Sequence, residues 1–559
     1  MMMDMNLIIG GEAGQGLNTL ETLMLPVLKE AGFHLFAAKD IMSRIRGGVN
    51  IVTIRVAGQE KNGYRKKSDV FISLSNEAFA WAENRLTAET ILIGPADILD
   101  KRGAKWHNNR TYALESKPQG AEPMPINMVV SGLISGLFRL DFSLLAEKTA
   151  SLFGDKGEKR LAANQAALKA GYFQGEKIDG LEVERCLDAG ERSLMNGSQA
   201  IALGAVAGGC NFLSFYPMSP ATGVAIYLAQ RAGEFGMVVE QYEDEIAAAG
   251  ASIGAWYAGA RAMVTTSGGG FALMEESISL AGMSETPMVL HLAQRPGPAT
   301  GLPTRTMQGD LNLVLHAGHG EFPRVIFAPG TLEEAFHLTQ KAFNLADKYQ
   351  VPVFILTDQF FVDSYTCLPR LQADGSENTY HVVATESYYR RYELTTGGVS
   401  PQGIPGHGDG VVIANGNEHD EYGDTTEDEQ LSQRMPEKRM KKMEVLAGES
   451  LVPGFCGHKE YKILLICWGS TYSTAREAVE LSSRDDLGLL HFSQLWPLPA
   501  DLDRYFQKAD KIVVIEENVT GQFAGLLQQF FPGNYFESML KYNGRHFYVE
   551  EIVEKLEAL

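Results

Sequence analysis

The chain has 559 residues, of which 45% are hydrophobic and 21% are charged, so it has an ordinary globular composition with room for three or four domains. No run approaches the 18 apolar residues of a membrane span, and the net charge of -20 disfavours binding to nucleic acid or to an anionic membrane. The five cysteines are scattered singly and the first residues lack a signal-peptide pattern. We therefore expect a cytoplasmic protein with no metal site or iron–sulfur cluster in this chain.

The first predicted domain covers residues 1–180. A short strand at 6–10 leads into a glycine loop that contains Gly14 and Gly16, and a helix begins at Leu17. The spacing G-x-x-G-x-G differs from the dinucleotide-binding fingerprint, so the loop is either a phosphate cradle or a tight structural turn. Arg46 lies in a second glycine-containing segment and favours an anionic ligand slightly.

The second predicted domain covers residues 190–370. Apolar strands at 212–215, 236–240, 261–267, 288–294, 324–328 and 351–357 alternate with segments of helical length. This alternation predicts a parallel, doubly wound sheet. Residues 371–455 are polar and rich in glycine, which predicts a loop-rich connector, and a smaller α/β domain follows at 456–559. The basic cluster around Lys438 and Lys442 is interpreted as a solvated helix face, with contact to an acidic neighbour as a further option.

Two glutamates precede a helix of small residues in the second domain. Glu243 and Glu245 are candidates for ordinary helix-dipole partners, but Glu245 is followed nine residues later by Gly254. This spacing resembles the pyrimidine-binding domain of thiamine diphosphate enzymes. A carboxyl group in a dry pocket there promotes the imino tautomer of the cofactor by acid–base chemistry. Glu243 is the competing candidate, but its ninth successor is Ser252.

Several ordered motifs extend this resemblance over nearly the whole chain. They are Tyr216-Pro217-Met218-Ser219-Pro220, Glu243-Asp244-Glu245, Thr265-Thr266-Ser267-Gly268-Gly269-Gly270, the loop from Arg295 to Thr304, Trp496-Pro497-Leu498-Pro499 and Glu516-Glu517-Asn518. Together they are similar to the alpha subunit of 2-oxoacid:ferredoxin oxidoreductases, in the form with a gamma domain fused at the N-terminus. The type acting on 2-oxoglutarate is the most similar.

The resemblance implies three α/β domains, the central one of the thiamine pyrimidine-binding type and the last of the transketolase C-terminal type. It assigns the catalytic carboxyl group to Glu245, and it implies cofactor contacts for Ser267, Gly268 and the N-terminal loop. It also implies a substrate pocket in which Arg295 clamps the 2-oxoacid carboxylate. The remaining implied pocket residues are Tyr216, Ser219, Pro220 and Thr304.

The same resemblance implies partners and cofactors. The complex would hold thiamine diphosphate with Mg²⁺, and would use coenzyme A as cosubstrate and ferredoxin as electron partner. A beta subunit would hold the diphosphate and a 4Fe-4S cluster in an alpha2beta2 heterotetramer. The alternative from another class is a non-catalytic regulatory subunit that binds a nucleotide or acyl-CoA, which leaves the residue pattern around Glu245 and Arg295 unexplained.

Two departures from the family pattern stand in the motifs. Ser219 replaces the usual threonine, which keeps a hydroxyl group and loses a methyl contact, so that substrate preference is open. Gly269 replaces the usual proline of a Ser-Gly-Pro-Gly turn, which predicts a looser turn with no loss of a chemical group.

Overall fold

The computed structural model describes residues 4–42, 48–101, 103–117, 123–179, 181–186, 188–373 and 378–559. Its strands are β1 Asp4–Glu12, β2 His34–Asp40, β3 Val49–Ala57, β4 Val70–Ser73, β5 Ile91–Gly94, β6 Thr111–Ala113, β7 Ser193–Asn196, β8 Phe212–Phe215, β9 Val238–Gln241, β10 Ala262–Thr266, β11 Met288–Gln294, β12 Val325–Phe327, β13 Pro352–Asp358, β14 Tyr365–Leu368, β15 Gly454–Gly457, β16 Ile463–Trp468, β17 Leu487–Phe492, β18 Gln494–Trp496, β19 Lys511–Glu516 and β20 Phe536–Leu540. Its α-helices are α1 Leu17–Glu30, α2 Asn76–Ala82, α3 Ala96–Leu99, α4 Ile126–Leu137, α5 Phe142–Phe153, α6 Glu158–Gly175, α7 Gly197–Ala207, α8 Thr222–Ala229, α9 Ala232–Phe235, α10 Glu245–Tyr257, α11 Gly268–Phe271, α12 Glu275–Met283, α13 Leu311–Leu315, α14 Leu332–Tyr349, α15 Gln359–Asp363, α16 Glu429–Gly448, α17 Thr471–Leu481, α18 Asp503–Phe506, α19 Gln522–Phe530 and α20 Val549–Glu557.

The chain forms two compact units. Unit 1 contains residues 1–195, 364–370 and 548–550, and unit 2 contains 196–363, 371–547 and 551–559. In the described part of the chain, no helix is long and apolar enough to cross a membrane.

Unit 1 is built on an eight-stranded mixed sheet in the order β6-β5-β4-β1-β3-β2-β14-β7. Strands β1, β4, β5 and β6 run parallel, whereas β3 is antiparallel to both β1 and β2. The predicted strand at 6–10 is present as part of β1. The sequence analysis did not identify β2.

Helices α4 and α6 of unit 1 pack closely through glycines on both partners. A Cβ on Gly132 or Gly136 would collide with backbone carbonyls of α6, and a Cβ on Gly171 or Gly175 would collide with backbone carbonyls of α4. Larger side chains at these positions would hold the two backbones apart. Buried residues of both helices belong to the apolar cluster that also includes residues of the sheet.

The central sheet of unit 2 has seven strands in the order β18-β12-β13-β11-β10-β8-β9. All neighbours are parallel except β12 and β18, so the predicted doubly wound parallel sheet is confirmed. A five-stranded sheet, β15-β17-β16-β19-β20, forms the smaller α/β part, in which only β15 is antiparallel to its neighbour. The mixed α/β architecture with three sheets agrees with the sequence prediction.

The connector between these sheets is more ordered than its composition predicted, because it ends in the 20-residue helix α16. The Glu285 cluster (Glu285, Arg391, Lys438 and Lys442) anchors this helix. Lys438 Nζ lies 2.6 Å from Glu285 Oε1 and Lys442 Nζ lies 2.5 Å from Glu285 Oε2. The two lysines are only 2% and 1% exposed. The prediction of a solvated lysine face was therefore wrong, whereas the contact with an acidic neighbour is confirmed.

Burial and charge oppose each other in the Glu285 cluster. Burial alone would raise the pKa of Glu285, but Lys442 and Lys438 outweigh burial and hold that pKa well below its usual range. Burial lowers the pKa of Lys442 to about 8. Arg391 donates to the carbonyl oxygens of Ser284 and Glu285, at 3.3 and 2.6 Å. The carboxylate and the carbonyl groups thus compensate the three buried cations.

Candidate active site

Four loops of the central sheet meet at one edge, because parallel strands end on the same side. The strand order β11-β10-β8-β9 places the ends of these strands side by side. Arg295 follows β11, Ser267 follows β10, Tyr216 follows β8, and Glu245 begins the helix after β9. The carboxyl edge of an open α/β sheet is the usual place for a ligand.

The segment Ser267–Gly270, here called the glycine turn, touches the other loops directly. A Cβ on Gly268 would collide with the Asp310 carboxyl group, and a Cβ on Gly270 would stand 2.5 Å from Glu245 Oε1. Gly269 has more space, since a Cβ there would lie 4.0 Å from Met218 Sδ. The absence of side chains therefore lets three different loops approach this turn.

Glu245 is the first residue of α10, and Asp244 caps the helix by accepting a hydrogen bond from the Ala247 N–H at 2.8 Å. Because Asp244 caps the helix, the carboxyl group of Glu245 is not used for capping. Glu245 is 3% exposed, and its Oε1 atom is buried without a hydrogen-bond partner. Burial raises the pKa of Glu245. A buried carboxyl group with a free oxygen and a raised pKa is suited to proton exchange with a ligand.

The sequence analysis used the spacing between Glu245 and Gly254. Packing among the described residues does not explain why position 254 is a glycine. A Cβ on Gly254 would meet nothing within 4 Å. The same is true of Gly250, one turn earlier on the same helix. Within the described part of the chain, no residue packs closely against these two glycines.

Arg295 joins two loops of the site. Its Nη1 atom donates to the Ser219 carbonyl oxygen at 2.7 Å, while its Nε atom is buried without a partner. Burial lowers the pKa of Arg295, and the nearby Asp310 opposes this effect. The contact uses the backbone of Ser219, so it is available to either serine or threonine at this position.

The other predicted pocket residues lie in the same loops. Tyr216 is 37% exposed at the end of β8, and Pro220 is buried after a cis peptide bond with Ser219. Thr304 is half-buried in the loop between Arg295 and Asp310. Their direct contact with a substrate stays a prediction.

Unpartnered buried polar atoms mark this edge of the sheet. They are Glu245 Oε1, Ser267 Oγ, Arg295 Nε and Asp310 Oδ2. Buried polar groups in folded proteins are nearly always paired, so several orphaned atoms around one glycine turn indicate a place for a ligand. The set combines a cation with acids and a hydroxyl group, which fits a carboxylate substrate beside a cofactor that bears ring nitrogens. The sequence analysis did not identify Asp310.

The N-terminal glycine loop lies in unit 1. Gly14 and Gly16 have φ angles of 101° and 76°, a region that favours glycine. Gln15 ties the loop down, since its Oε1 accepts from the Glu12 N–H at 2.7 Å. No side chain caps the N-terminus of α1. The loop is thus a tight turn that leaves a helix start uncapped, and Arg46 lies outside the described residues.

Among the described residues, three potential metal ligands of unit 1 lie close together. Single ligand atoms of His34, Cys186 and Asp188 lie within 4.8 Å of one another. The Cys186 thiol donates to Asp188 Oδ1 at 2.6 Å, and Asp188 Oδ2 lies 3.6 Å from Arg192 Nε. These contacts account for the cluster without a metal, and we assign none to it.

Comparison with known families defines the class of the protein. Residues 203–438 match the family described as pyruvate flavodoxin/ferredoxin oxidoreductase, thiamine diphosphate-binding. Residues 6–174 match the family described as pyruvate ferredoxin/flavodoxin oxidoreductase. The sheet edge with Glu245 and Arg295 lies within the first match. The fold and the site therefore define a subunit of a thiamine diphosphate-dependent oxidoreductase.

Individual relatives specify the subunit. The chain is 30% identical to the alpha subunit of a Sulfolobus sp 2-oxoacid:ferredoxin oxidoreductase, over 99% of this chain and 96% of that protein. It is 33% identical to the 2-oxoglutarate synthase subunit KorA of Archaeoglobus fulgidus, over 59% of this chain and 88% of the relative. The chain belongs to the family of 2-oxoacid:ferredoxin oxidoreductase alpha subunits, and the resemblance found in its motifs is confirmed.

A solved structure agrees over the full length. The 2-oxoglutarate:ferredoxin oxidoreductase from Magnetococcus marinus, with 2-oxoglutarate, coenzyme A and succinyl-CoA bound, matches with a TM-score of 0.90 and 29% identity. The match covers 100% of both chains. The predicted fold class is therefore confirmed.

Proposed function

We propose that this alpha subunit, together with a beta subunit, interconverts 2-oxoglutarate, coenzyme A and oxidised ferredoxin with succinyl-CoA, CO₂ and reduced ferredoxin. The observation that carries the proposal is the full-length similarity to the Magnetococcus marinus enzyme, whose structure holds 2-oxoglutarate, coenzyme A and succinyl-CoA. The KorA relatives support the same substrate. The regulatory-subunit alternative has no comparable support.

Glu245 is the proposed acid–base group. When bound, thiamine diphosphate would supply the carbanion chemistry that decarboxylation needs. Glu245 would hold a ring nitrogen of the aminopyrimidine by a hydrogen bond and exchange a proton with it, for which its free Oε1 is suited. Ser267 and Gly268 would line the cofactor beside it, since the Ser267 hydroxyl group has no partner among the described residues.

Arg295 is the proposed holder of the substrate carboxylate. Its Nη1 is fixed by the Ser219 carbonyl oxygen, which leaves Nε and the rest of the planar group for charge-assisted hydrogen bonds. Tyr216, Ser219, Pro220 and Thr304 would form the wall of the pocket. In this arrangement Arg295 orients the acid, and the wall selects among 2-oxoacids.

The other proposed cofactors and partners belong to the complex. Mg²⁺, the diphosphate contacts and the 4Fe-4S cluster are assigned to the beta subunit in an alpha2beta2 assembly, with ferredoxin as electron partner. The cysteines of this chain are free thiols, which also favours a reducing compartment, the cytoplasm. Gly14, Gly16 and Arg46 are proposed contacts for an anionic group, such as a phosphate of coenzyme A.

The test is to purify the chain alone and with its beta subunit. We expect the complex to contain iron and thiamine, and to oxidise 2-oxoglutarate faster than pyruvate or branched and aromatic 2-oxoacids. The chain alone should contain no stoichiometric iron and show no turnover. A complex that oxidises none of these acids would refute the proposal, and turnover by the single chain would refute the division of labour.

A further inference from the structure

Asp310 lies in the substrate region but has no role in the proposed chemistry. Its Oδ2 atom is buried without a hydrogen-bond partner, and its carboxyl group packs directly on Gly268. Its N–H donates to Gln294 Oε1 at 2.9 Å, which fixes the backbone next to Arg295. Asp310 precedes helix α13, but its side chain makes no cap hydrogen bond. The carboxyl group is therefore free for another purpose.

The smaller α/β part of unit 2 holds the segment that carries Asp310. The Gln308 N–H donates to the Glu517 carbonyl oxygen at 2.7 Å, and the Glu517 N–H donates to Gln308 Oε1 at 3.0 Å. Gln522 Nε2 donates to the Gly309 carbonyl oxygen at 2.8 Å, and its Oε1 accepts from the Asn312 N–H at 2.9 Å. Asp310 is thus fixed from both sides.

The charged groups around Asp310 are few. Among the described residues, Arg295 is the charged group that acts on the Asp310 carboxyl group, and Glu245 lies beyond the glycine turn. Burial raises the pKa of Asp310 to about 6, while Arg295 opposes the rise. A substrate carboxylate on Arg295 would neutralise this stabilising cation and add a like charge, and both effects favour the protonated form of Asp310.

We propose that Asp310 is a further residue of the substrate pocket, and that its buried, unpartnered carboxyl group takes up a proton when the 2-oxoacid carboxylate binds beside it. The proton that is taken up offsets the charge of the carboxylate that binds. Above neutral pH, the ionised Asp310 opposes binding of the substrate carboxylate by like-charge repulsion. This inference rests on the proposed function, because it assumes that Arg295 receives the carboxylate.

The test measures KM and kcat of the purified complex for 2-oxoglutarate between pH 6 and pH 9. For the wild type we expect KM to rise by up to about tenfold per pH unit above pH 6, as one linked proton requires. Asp310→Asn keeps the shape and removes the repelling charge, so its KM should be nearly independent of pH and lower than the wild-type KM at pH 8. Glu234→Gln, which removes an exposed carboxylate from α9, is the charge control and should follow the wild type.

Two results would overturn the inference. One is a wild-type KM that does not change between pH 6 and pH 9, which decides the matter even if the variant fails to assemble. The other is an Asp310→Asn complex whose KM follows pH in parallel with the wild type. A complex inactive on every 2-oxoacid would instead refute the proposed function.

Discussion

Unit 2 contains two groups of buried charges that differ in how they are satisfied. In the Glu285 cluster, the carboxylate faces two lysines within 2.6 Å. At the edge of the central sheet, Glu245, Arg295 and Asp310 each keep a buried polar atom without a hydrogen-bond partner. A charge with partners inside the chain stabilises the fold, whereas an unpartnered charge is available to a ligand. Substitutions in the two groups should therefore affect different properties.

The largest expected effect is on turnover at Glu245. Glu245→Gln keeps the size and the hydrogen-bonding capacity but cannot exchange a proton, so kcat of the complex should fall by roughly 10²–10⁴-fold. Its melting temperature should change little. Glu243→Gln is the matched control, and loss of activity in this variant alone would show that the spacing argument selected the wrong carboxylate.

The corresponding change in the Glu285 cluster should affect stability. Glu285→Gln leaves two buried lysines without their counter-ion, which should lower the free energy of unfolding by about 3–5 kcal/mol. Denaturant unfolding of the chain measures this loss, with Glu437→Gln on the exposed face of α16 as control. A variant as stable as the control would mean that the carbonyl groups alone compensate the lysines.

The same cluster predicts the sign of a pH effect. Because the pKa of Glu285 is held below its unfolded value, its stabilising contribution is complete above about pH 4.3 and is lost as pH falls further. The wild type should therefore lose more stability than Glu285→Gln between pH 5 and pH 3. An equal loss of stability in the two proteins over this range would mean that folding does not lower the pKa of Glu285.

A smaller effect on kinetics is expected at Arg295. Arg295→Lys keeps the charge but loses the planar pair of donors, so kcat/KM should fall by roughly 10- to 150-fold, equivalent to about 1.5–3 kcal/mol. Thiamine diphosphate binding should be unchanged. Ser219→Thr is the mild counterpart, because Arg295 contacts only the carbonyl oxygen at that position. Unchanged kinetics of Arg295→Lys on every 2-oxoacid would place the carboxylate elsewhere.

The smallest effect concerns the glycine turn. Gly269→Pro should raise the free energy of unfolding by about 0.4–1 kcal/mol, because proline restricts the unfolded chain and this position has room for a side chain. The first N–H groups of a helix have no partner within the helix, so a proline at this position removes no helical hydrogen bond. Gly270→Ala is the contrasting control, since its Cβ would collide with Thr266 and crowd Glu245. Destabilisation by Gly269→Pro would mean that the turn needs the freedom of glycine.

The sequence predicted the parts of the fold that depend on local patterns. The apolar runs of the central sheet were visible because strands covered on both faces are almost continuously hydrophobic. Strand β2 was missed, although its residues His34–Asp40 are nearly all buried, because the polar His34, Lys39 and Asp40 at its ends leave only a short apolar run between them. Lys438 and Lys442 looked like solvated residues because their partner Glu285 lies about 150 residues away in the chain.

The sequence also predicted part of the candidate site. Glu245 and Arg295 were identified from their motifs, and their places at one edge of the sheet agree with that interpretation. Asp310 was missed because its environment depends on Gly268 and on Gln522, which are distant in sequence. Neither spacing nor composition reports that a carboxyl group will be buried without a partner.

The route of the chain through unit 1 limits how the protein can be divided. Strand β14, at Tyr365–Leu368, pairs with β2 of the N-terminal sheet, so a segment from the middle of the chain covers the edge of a sheet formed at its start. A fragment that stops near residue 195 would expose the backbone of β2, an edge open to pairing with other chains. The N-terminal part expressed alone is therefore expected to aggregate. Covalent attachment of residues 364–370 should cover this edge of the sheet and prevent the aggregation.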